Sequence, residues 1–182
     1  MTVPRERLAL GWLVLPVAAM VAVVVVSNVA VQFPINDWLT WGAFTYPLAF
    51  LVTDLANRTL GAARARRIVY AGFAVGVALS LAAGWRIALA SGSAFLVAQL
   101  LDIVIFDRLR RAAWWRAPLV SSVLSSAADT LLFFSLAFAF TGLPWVTWAA
   151  GDYAAKLAMA ALLLAPYRVL AGMLVPRAPA AS

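Results

Sequence analysis

The 182-residue sequence contains no cysteine and no histidine, and charged residues make up only 12% of it. Without cysteine there is no disulfide framework and no thiol chemistry. Without histidine the commonest metal ligand and the usual proton shuttle near neutral pH are missing. No glycine-rich phosphate loop, serine elbow or metal-binding helix motif occurs either. A non-enzyme with no cofactor and no bound metal is the expectation. What is present is apolar: 65% hydrophobic residues and a mean hydropathy of +0.96. A soluble domain is roughly 45–50% apolar and ~25% charged. This chain has too little polar surface to cover itself in water and suits a lipid bilayer, which points to a transporter, a channel or an assembly factor.

A spanning helix needs ~20 mostly apolar residues. Six segments meet that need, at about 8–31, 40–60, 67–84, 86–107, 116–140 and 145–170. The connections are short: QFPIND, GAARAR, a glycine-tryptophan turn, RLRRAAWW and TGLP. The expected fold is therefore all-α, a polytopic membrane protein with six transmembrane helices in one bundle, and residues 1–182 form one domain. Arg5 and Arg7 before an apolar run imitate a signal peptide, but signal h-regions are shorter, ~7–15 residues.

With six spans both termini share a side, and twelve arginines fall there: Arg5, Arg7, Arg58, Arg64, Arg66, Arg67, Arg108, Arg110, Arg111, Arg116, Arg168 and Arg177. The other side holds Arg86 alone, and Lys156 lies within the sixth span. By the positive-inside rule both termini are expected in the cytoplasm. Topology accounts for the net charge of +7, so no nucleic-acid partner is expected. The eight tryptophans fall near span ends, as interfacial tryptophan does.

Polar residues deep in a span are costly and persist where they face an interior, pair or function. They are Asn28 in the first span; Asp54, Asn57 and Arg58 in the second; Gln99, Asp102 and Asp107 in the fourth; Asp129 and Thr130 in the fifth; and Asp152 and Lys156 in the sixth. The third span has essentially none and reads as a peripheral, lipid-facing helix. Helical phase groups the rest into stripes: Pro47, Phe50, Asp54, Asn57; Phe95, Gln99, Asp102, Phe106; and Pro118, Ser122, Ser125, Asp129, Phe133. Carboxylates beside aromatic rings make a polar pocket with stacking faces.

Several of these residues have plainer uses. Asp107 and Arg108 sit where interfacial charges belong, as do Asn57 and Arg58, though Asn57 could cap the pocket floor. Asp152 and Lys156, four apart with the acid first, suit an intrahelical pair; Lys156 could instead contact a ligand or Asp129. Ser121, Ser122, Ser125 and Ser126 suit close helix packing. Asp54, Asp102 and Asp129 resist such readings, because three buried acids outnumber the one buried lysine. AFLVTDL at 49–55 and AFLVAQL at 94–100 agree at five of seven positions. That echo is either a pseudo-repeat or chance in so Ala/Leu/Val-rich a chain.

The stretches YPLAFLVTDLANRTLGAARARRIVYAGF, AFLVAQLLDIVIFDRLR, WWRAPLVSS, SAADTLLFFSLAF and DYAAKLAMAALLLAPYRVL together resemble the queuosine precursor transporter family, also called the vitamin uptake transporter family. The resemblance runs roughly from Asn28 to Leu170. It implies a six-helix protein of the bacterial inner membrane that imports 7-cyano-7-deazaguanine and 7-aminomethyl-7-deazaguanine, precursors of a modified tRNA base. The family's motifs carry over to Thr53–Asp54, to Gln99 and Asp102, to Asp129–Thr130, to Lys156 and to Asn28. Ser125 and Ser126 stand where many members have glutamine, which puts amide contacts or substrate choice in doubt.

For such a base, Asp54 or Asp102 is expected to accept the ring N–H and exocyclic amine together, since bidentate charge-assisted bonds are the strong ones. Gln99, Asn28 or Lys156 would serve the ring carbonyl. Phe50, Phe95 or Phe133 would stack on its face, and Lys156 would balance Asp129. The expected partners are the small-molecule base and the bilayer, with the chain acting alone or as a homodimer through its apolar third span. The alternative is a substrate-binding membrane subunit of an ATPase-energised importer of the energy-coupling-factor type. Against it, Trp12 and Pro16 interrupt the small-residue stripe that docking would want on the first span.

Overall fold

A computed structural model describes residues 5–30, 33–36, 38–81 and 84–174. Eight helices make up nearly all of it: α1 (Arg5–Ala30), α2 (Gly42–Thr45), α3 (Leu48–Leu60), α4 (Ala62–Ser80), α5 (Trp85–Leu109), α6 (Arg116–Phe138), α7 (Trp145–Leu162) and α8 (Leu164–Leu174). The fold class is all-α, as expected. The connection after α1 holds a small antiparallel ribbon, β1 (Pro34–Asn36) with β2 (Leu39–Thr40). Asn36 makes its turn, Oδ1 accepting the backbone N–H groups of Trp38 and Leu39, each at 2.9 Å.

Four of the six apolar segments are single helices, and two are broken in two. The second divides into α2 and α3 at Pro47, and the sixth into α7 and α8 at Leu163 with a 42° bend. Proline explains both breaks. Pro47 has no N–H for the carbonyl of Ala43, and Pro166 has none for that of Leu162. In each case the ring also crowds that carbonyl. Gly61 and Gly84, at φ +86° and +105°, reverse the chain before and after α4, a conformation that disfavours side chains.

Three helical stretches are long and apolar enough to cross a membrane: Leu13–Ala30 of α1, α5 and α6. The bent pair α7–α8 makes a fourth. α3 has 13 residues, about 20 Å of rise against a hydrocarbon core of about 30 Å. α4 spends its first turns on Arg64, Arg66 and Arg67. Side-chain placement matches a lipid environment. Val14, Leu15, Val26, Leu89, Leu131 and Leu162 point outward from four helices, while the polar residues point inward.

The helices pack around α5, which lies against α6, α4 and α3. α4 is a correction to the sequence reading, which put this segment at the periphery. It packs against α1, α3 and α5 and gives Ala65, Ile68 and Val69 to the core alongside Met20 and Val24 of α1 and Phe95 and Ile103 of α5. Its arginine-bearing first turns, Ala63, Arg64, Arg66 and Arg67, are exposed, and beyond them so are Tyr70, Ala74, Ala78 and Leu79. Glycines bring it in. A Cβ on Gly72 would lie 2.6 Å from Met20 Cγ and 3.3 Å from Phe95 Cζ, and one on Gly92 of α5 would lie 2.9 Å from Val77. Small residues let helices close without a solvent-driven force between them.

Gly72→Leu is therefore expected to cost about 1–3 kcal/mol by overpacking. Gly172→Leu on α8, where a Cβ meets nothing within 4 Å, should cost nothing measurable. Thermal unfolding of the two variants in detergent checks the difference.

Candidate functional site

The three polar stripes converge as their helical phase requires. Phe50, Asp54 and Asn57 of α3, Gln99, Asp102 and Phe106 of α5, and Ser122, Ser125 and Asp129 of α6 are all buried. α3 and α5 run parallel and side by side. Thr53 Oγ1 donates to Gln99 Oε1 at 2.5 Å, and Asn57 Nδ2 donates to the Ile103 carbonyl at 3.1 Å. At the helix ends the tie is reciprocal: Arg58 Nη1 donates to the Arg110 carbonyl at 2.9 Å, and Arg110 Nη2 donates to the carbonyl of Asn57 and to its Oδ1. Asn57 thus belongs to an interhelical lock.

Lys156 of α7 forms one closed network with α6. Its ammonium lies 2.7 Å from Asp129 Oδ2, 2.5 Å from Asp152 Oδ2 and 3.1 Å from Thr130 Oγ1. Thr130 in turn donates to Asp152 at 2.8 Å. The intrahelical pair and the Asp129 contact, alternatives in the sequence, therefore coexist. Three acceptors occupy three ammonium protons, so Lys156 has no donor left for a ring carbonyl. The Tyr46 ring, 5.8 Å from Nζ, adds a cation–π contact.

Asp54 and Asp102 form the second polar centre, and no cation pairs with either among the described residues. Asp54 on α3 and Asp102 on α5 are each at most 2% exposed, on two helices that pack directly against one another. Ser121 Oγ donates to Asp54 Oδ1 at 3.3 Å, so at least one of the four serines does more than pack. Neither oxygen of Asp102 has a hydrogen-bond partner among the described residues; Gln99 Nε2, Ser125 Oγ and Asp129 Oδ1 are likewise unsatisfied. Buried polar groups left unpartnered are expensive, and they concentrate here.

A cleft of about 320 Å³ opens beside this centre, walled by Pro47, Phe50, Asp54, Ser122, Lys156 and Tyr167 among others. In this conformation it has room for about one water. Both helix breaks border it, since Pro47, Leu163 and Leu164 line its wall. The cleft gathers Phe50, Asp54 and Lys156 from the expected set, with Asp102 and Gln99 buried behind Asp54 and Asp129 behind Lys156. Asn28 is not brought to it. Asn28 Nδ2 donates to the Val24 carbonyl at 2.9 Å and Oδ1 accepts from Ser80 at 3.4 Å, beside a separate hollow that also includes Phe95. Phe133 joins a ring cluster with Phe134 and Phe138. Of the proposed stacking rings only Phe50 faces the cleft. Tyr46 and Tyr167 were missed as site residues; each adjoins or follows a chain-breaking proline, the signal that could have marked them.

The family described as "Putative vitamin uptake transporter" matches residues 40–83 and 78–171. The chain belongs to the vitamin uptake transporter family. It is 36% identical to the "Queuosine precursor transporter" of Escherichia coli (strain K12), over 85% of this chain and 84% of that protein. It is 33% identical to the "Probable queuosine precursor transporter" of Haemophilus influenzae, over 79% of each, and 28% identical to the Bacillus subtilis protein of the same description, over 75% of this chain and 73% of that one. No solved structure matches significantly. The family model and all three relatives are described as transporters.

Lys156→Ala leaves two carboxylates without their cation. Removing one partner of a buried pair costs about 3–5 kcal/mol. Asp129→Ala added to it should recover part of that loss rather than add to it, as thermal unfolding of the single and double variants would show.

Proposed function

We propose that the chain imports queuosine precursors, the 7-deazaguanine bases 7-cyano-7-deazaguanine and 7-aminomethyl-7-deazaguanine, across the bacterial inner membrane. In this reading all six apolar segments cross the bilayer, the two broken ones included, and both termini lie in the cytoplasm. The arginines support that orientation: Arg58, Arg110 and Arg168 share one end of the bundle, with Arg168 stacked 4.7 Å over Trp114. Arg86 stands at the opposite end, where it donates to the Leu136 and Ala139 carbonyls that close α6.

The observation that carries the substrate reading is Asp54, a buried carboxylate without a cation, on the wall of a cleft beside the flat ring of Phe50. A deazaguanine presents a ring N–H and an exocyclic amine side by side, which one carboxylate accepts as a bidentate pair, while Phe50 covers the base. Gln99 Nε2, unsatisfied behind Asp54, is the donor suited to the ring carbonyl. Lys156 holds the wall in place. A cleft this narrow is an occluded state, and the broken helices beside it are the elements able to open it.

In cells unable to make queuosine and fed low 7-cyano-7-deazaguanine, wild-type chain should restore queuosine in tRNA. Asp54→Asn should lower uptake about 10- to 100-fold, because the amide offers an N–H where the base also offers one; a lost charged bond is worth about 1.5–3 kcal/mol. Full uptake by Asp54→Asn would overturn the assignment of Asp54. No rescue by wild type shown to be in the membrane would point to another ligand or to an ATPase-energised complex.

A further inference from the structure

We propose that the hollow beside Asn28 is the outer station on the path to the cleft, a position for the same flat base in uncharged form, and that the Tyr46 ring is the partition between the two. The ligand and the direction rest on the transport reading above; the two chambers and the ring between them do not.

The hollow and the cleft lie toward opposite ends of the bundle. The hollow, of about 220 Å³, is walled by Asn28 of α1, Gly76 of α4 and Ser91 and Gly92 of α5 among others. Asn28 is in the last turn of α1, where it meets Ser80 at the end of α4, and Ser91 is in the second turn of α5. This is the end that carries Arg86. The cleft belongs to the other end: Pro118 of its wall is in the first turn of α6, and Asp54 is one turn from Arg58. Along α5 the hollow ends at Phe95, and the buried polar residues begin one turn later at Gln99.

Tyr46 stands where the two meet. It lines the hollow, with its ring edge-on to that of Phe95 at 6.1 Å. Lys156 Nζ, on the wall of the cleft, lies 5.8 Å from the centre of the same ring. Phe50 follows it by four residues and Asp54 by eight, both on the cleft wall. The main chain explains the position. Tyr46 ends α2, a short helix packed against both α1 and α7, and precedes Pro47, where the second apolar segment breaks. Residues at the ends of elements are the ones that absorb the rotation of a hinge. The contacts that hold the ring are ring contacts, which a passing flat base can replace with its own face.

The lining sets the ligand. Tyr46, Phe73 and Phe95 supply rings, Asn28 and Ser91 supply an amide and a hydroxyl, and no charged residue lines the hollow among the described residues. Such a wall takes a flat heterocycle with a polar edge. It offers an ion no counter-charge, so the neutral nitrile base suits it better than one that carries an ammonium. The cleft differs by adding Asp54 and Lys156. A base moving inward thus meets aromatic faces first and the carboxylate second. In this conformation each chamber has room for about one water, so both are contracted, with the ring closed between them.

The chain has no cysteine, so one introduced thiol reports alone. Ser91→Cys puts it in the hollow and Ser122→Cys in the cleft. A charged methanethiosulfonate, which does not cross lipid, is applied outside spheroplasts, and labelling rates are read on the purified chain. The Ser91→Cys variant should be labelled, and the Ser122→Cys variant should be slower by on the order of tenfold, since access controls thiol reactivity. Tyr46→Ala should abolish the difference by speeding Ser122→Cys alone, whereas Tyr46→Phe, which keeps the ring, should preserve it. Tyr46→Leu, which fills the space without a ring, gives the same reading if Tyr46→Ala does not fold. Equal rates with Tyr46 in place, a difference that survives loss of the ring, or an equal rise at both positions overturns the partition. Labelling of Ser91→Cys only in inverted vesicles overturns the outer assignment.

The ligand is tested by protection, with the cleft disabled by Asp54→Asn. There 7-cyano-7-deazaguanine should still slow labelling of Ser91→Cys. Protection that requires Asp54 overturns the outer station, because it then reports closure of the bundle and not occupancy of the hollow. Protection of neither position with Asp54 intact means that the substrate reading itself has failed, and the labelling pattern then decides the partition alone.

Discussion

Hydrocarbon offers a polar group no solvent, so every donor and acceptor must find its partner inside the protein. That constraint organises this molecule more than any single contact does. It explains why apolar side chains point outward from α1, α5, α6 and α7 while Asp54, Gln99, Asp102 and Asp129 are buried inside. It also explains why interhelical contacts are so often hydrogen bonds: Thr53 to Gln99, Asn57 to Ile103, Arg86 to the end of α6 and Lys156 to Asp129. Between helices in lipid these bonds and close van der Waals contact stand in for the hydrophobic effect. Against that background seven buried atoms are exceptions among the described residues: five of them, on Asp102, Gln99, Ser125 and Asp129, lie in the bundle's polar interior, and the others are Ser27 Oγ and Arg110 Nε. Such a concentration is what a site made to receive hydrogen bonds would show before anything occupies it.

The two broken helices belong to the same logic. Irregular backbone at membrane depth is tolerated only where it borders protein or a cavity. Here both breaks, at Pro47 and at Leu163, border the one cleft that Asp54 and Lys156 share. A helix interrupted beside a binding site exposes backbone polar groups there and supplies a place to bend. The Lys156 network ties α6 to α7 just before the second break, while beyond it Tyr167 of α8 packs against Phe106 of α5. This division of labour suits a lysine whose three protons are already used.

The apolar segments and their inward stripes are legible in the sequence because helical period and lipid exposure act on every residue alike. Helical phase alone puts Phe50, Asp54, Gln99, Asp102 and Asp129 on shared inward faces, and all are buried. What phase does not contain is the angle and depth of one helix against another. Asn28 has the right depth but sits on α1 facing Ser80 of α4, which carries it to a different hollow. The third apolar segment looked peripheral because it has essentially no polar residue deep in the span, yet Gly72 and Gly92 allow its close packing, and glycine reads in a sequence as mere absence. The choice between Asp129 and Asp152 for Lys156 was open because each was within reach by spacing; the structure uses both.

The echo between residues 49–55 and 94–100 gains a physical meaning from the packing. The segments lie on α3 and α5, which run in the same direction and touch along their length. Residue pairs in contact are separated by 46 positions, Thr53 with Gln99 and Asn57 with Ile103, one more than the offset of the echo. Two helices with nearly the same pattern thus meet nearly in register, Ala49 and Ala56 of one and Ala94 and Ala98 of the other all buried. Alanine at these positions lets the backbones approach. Close approach of two parallel helices, each with an acid on its inner face, is what brings Asp54 and Asp102 into the same buried interior.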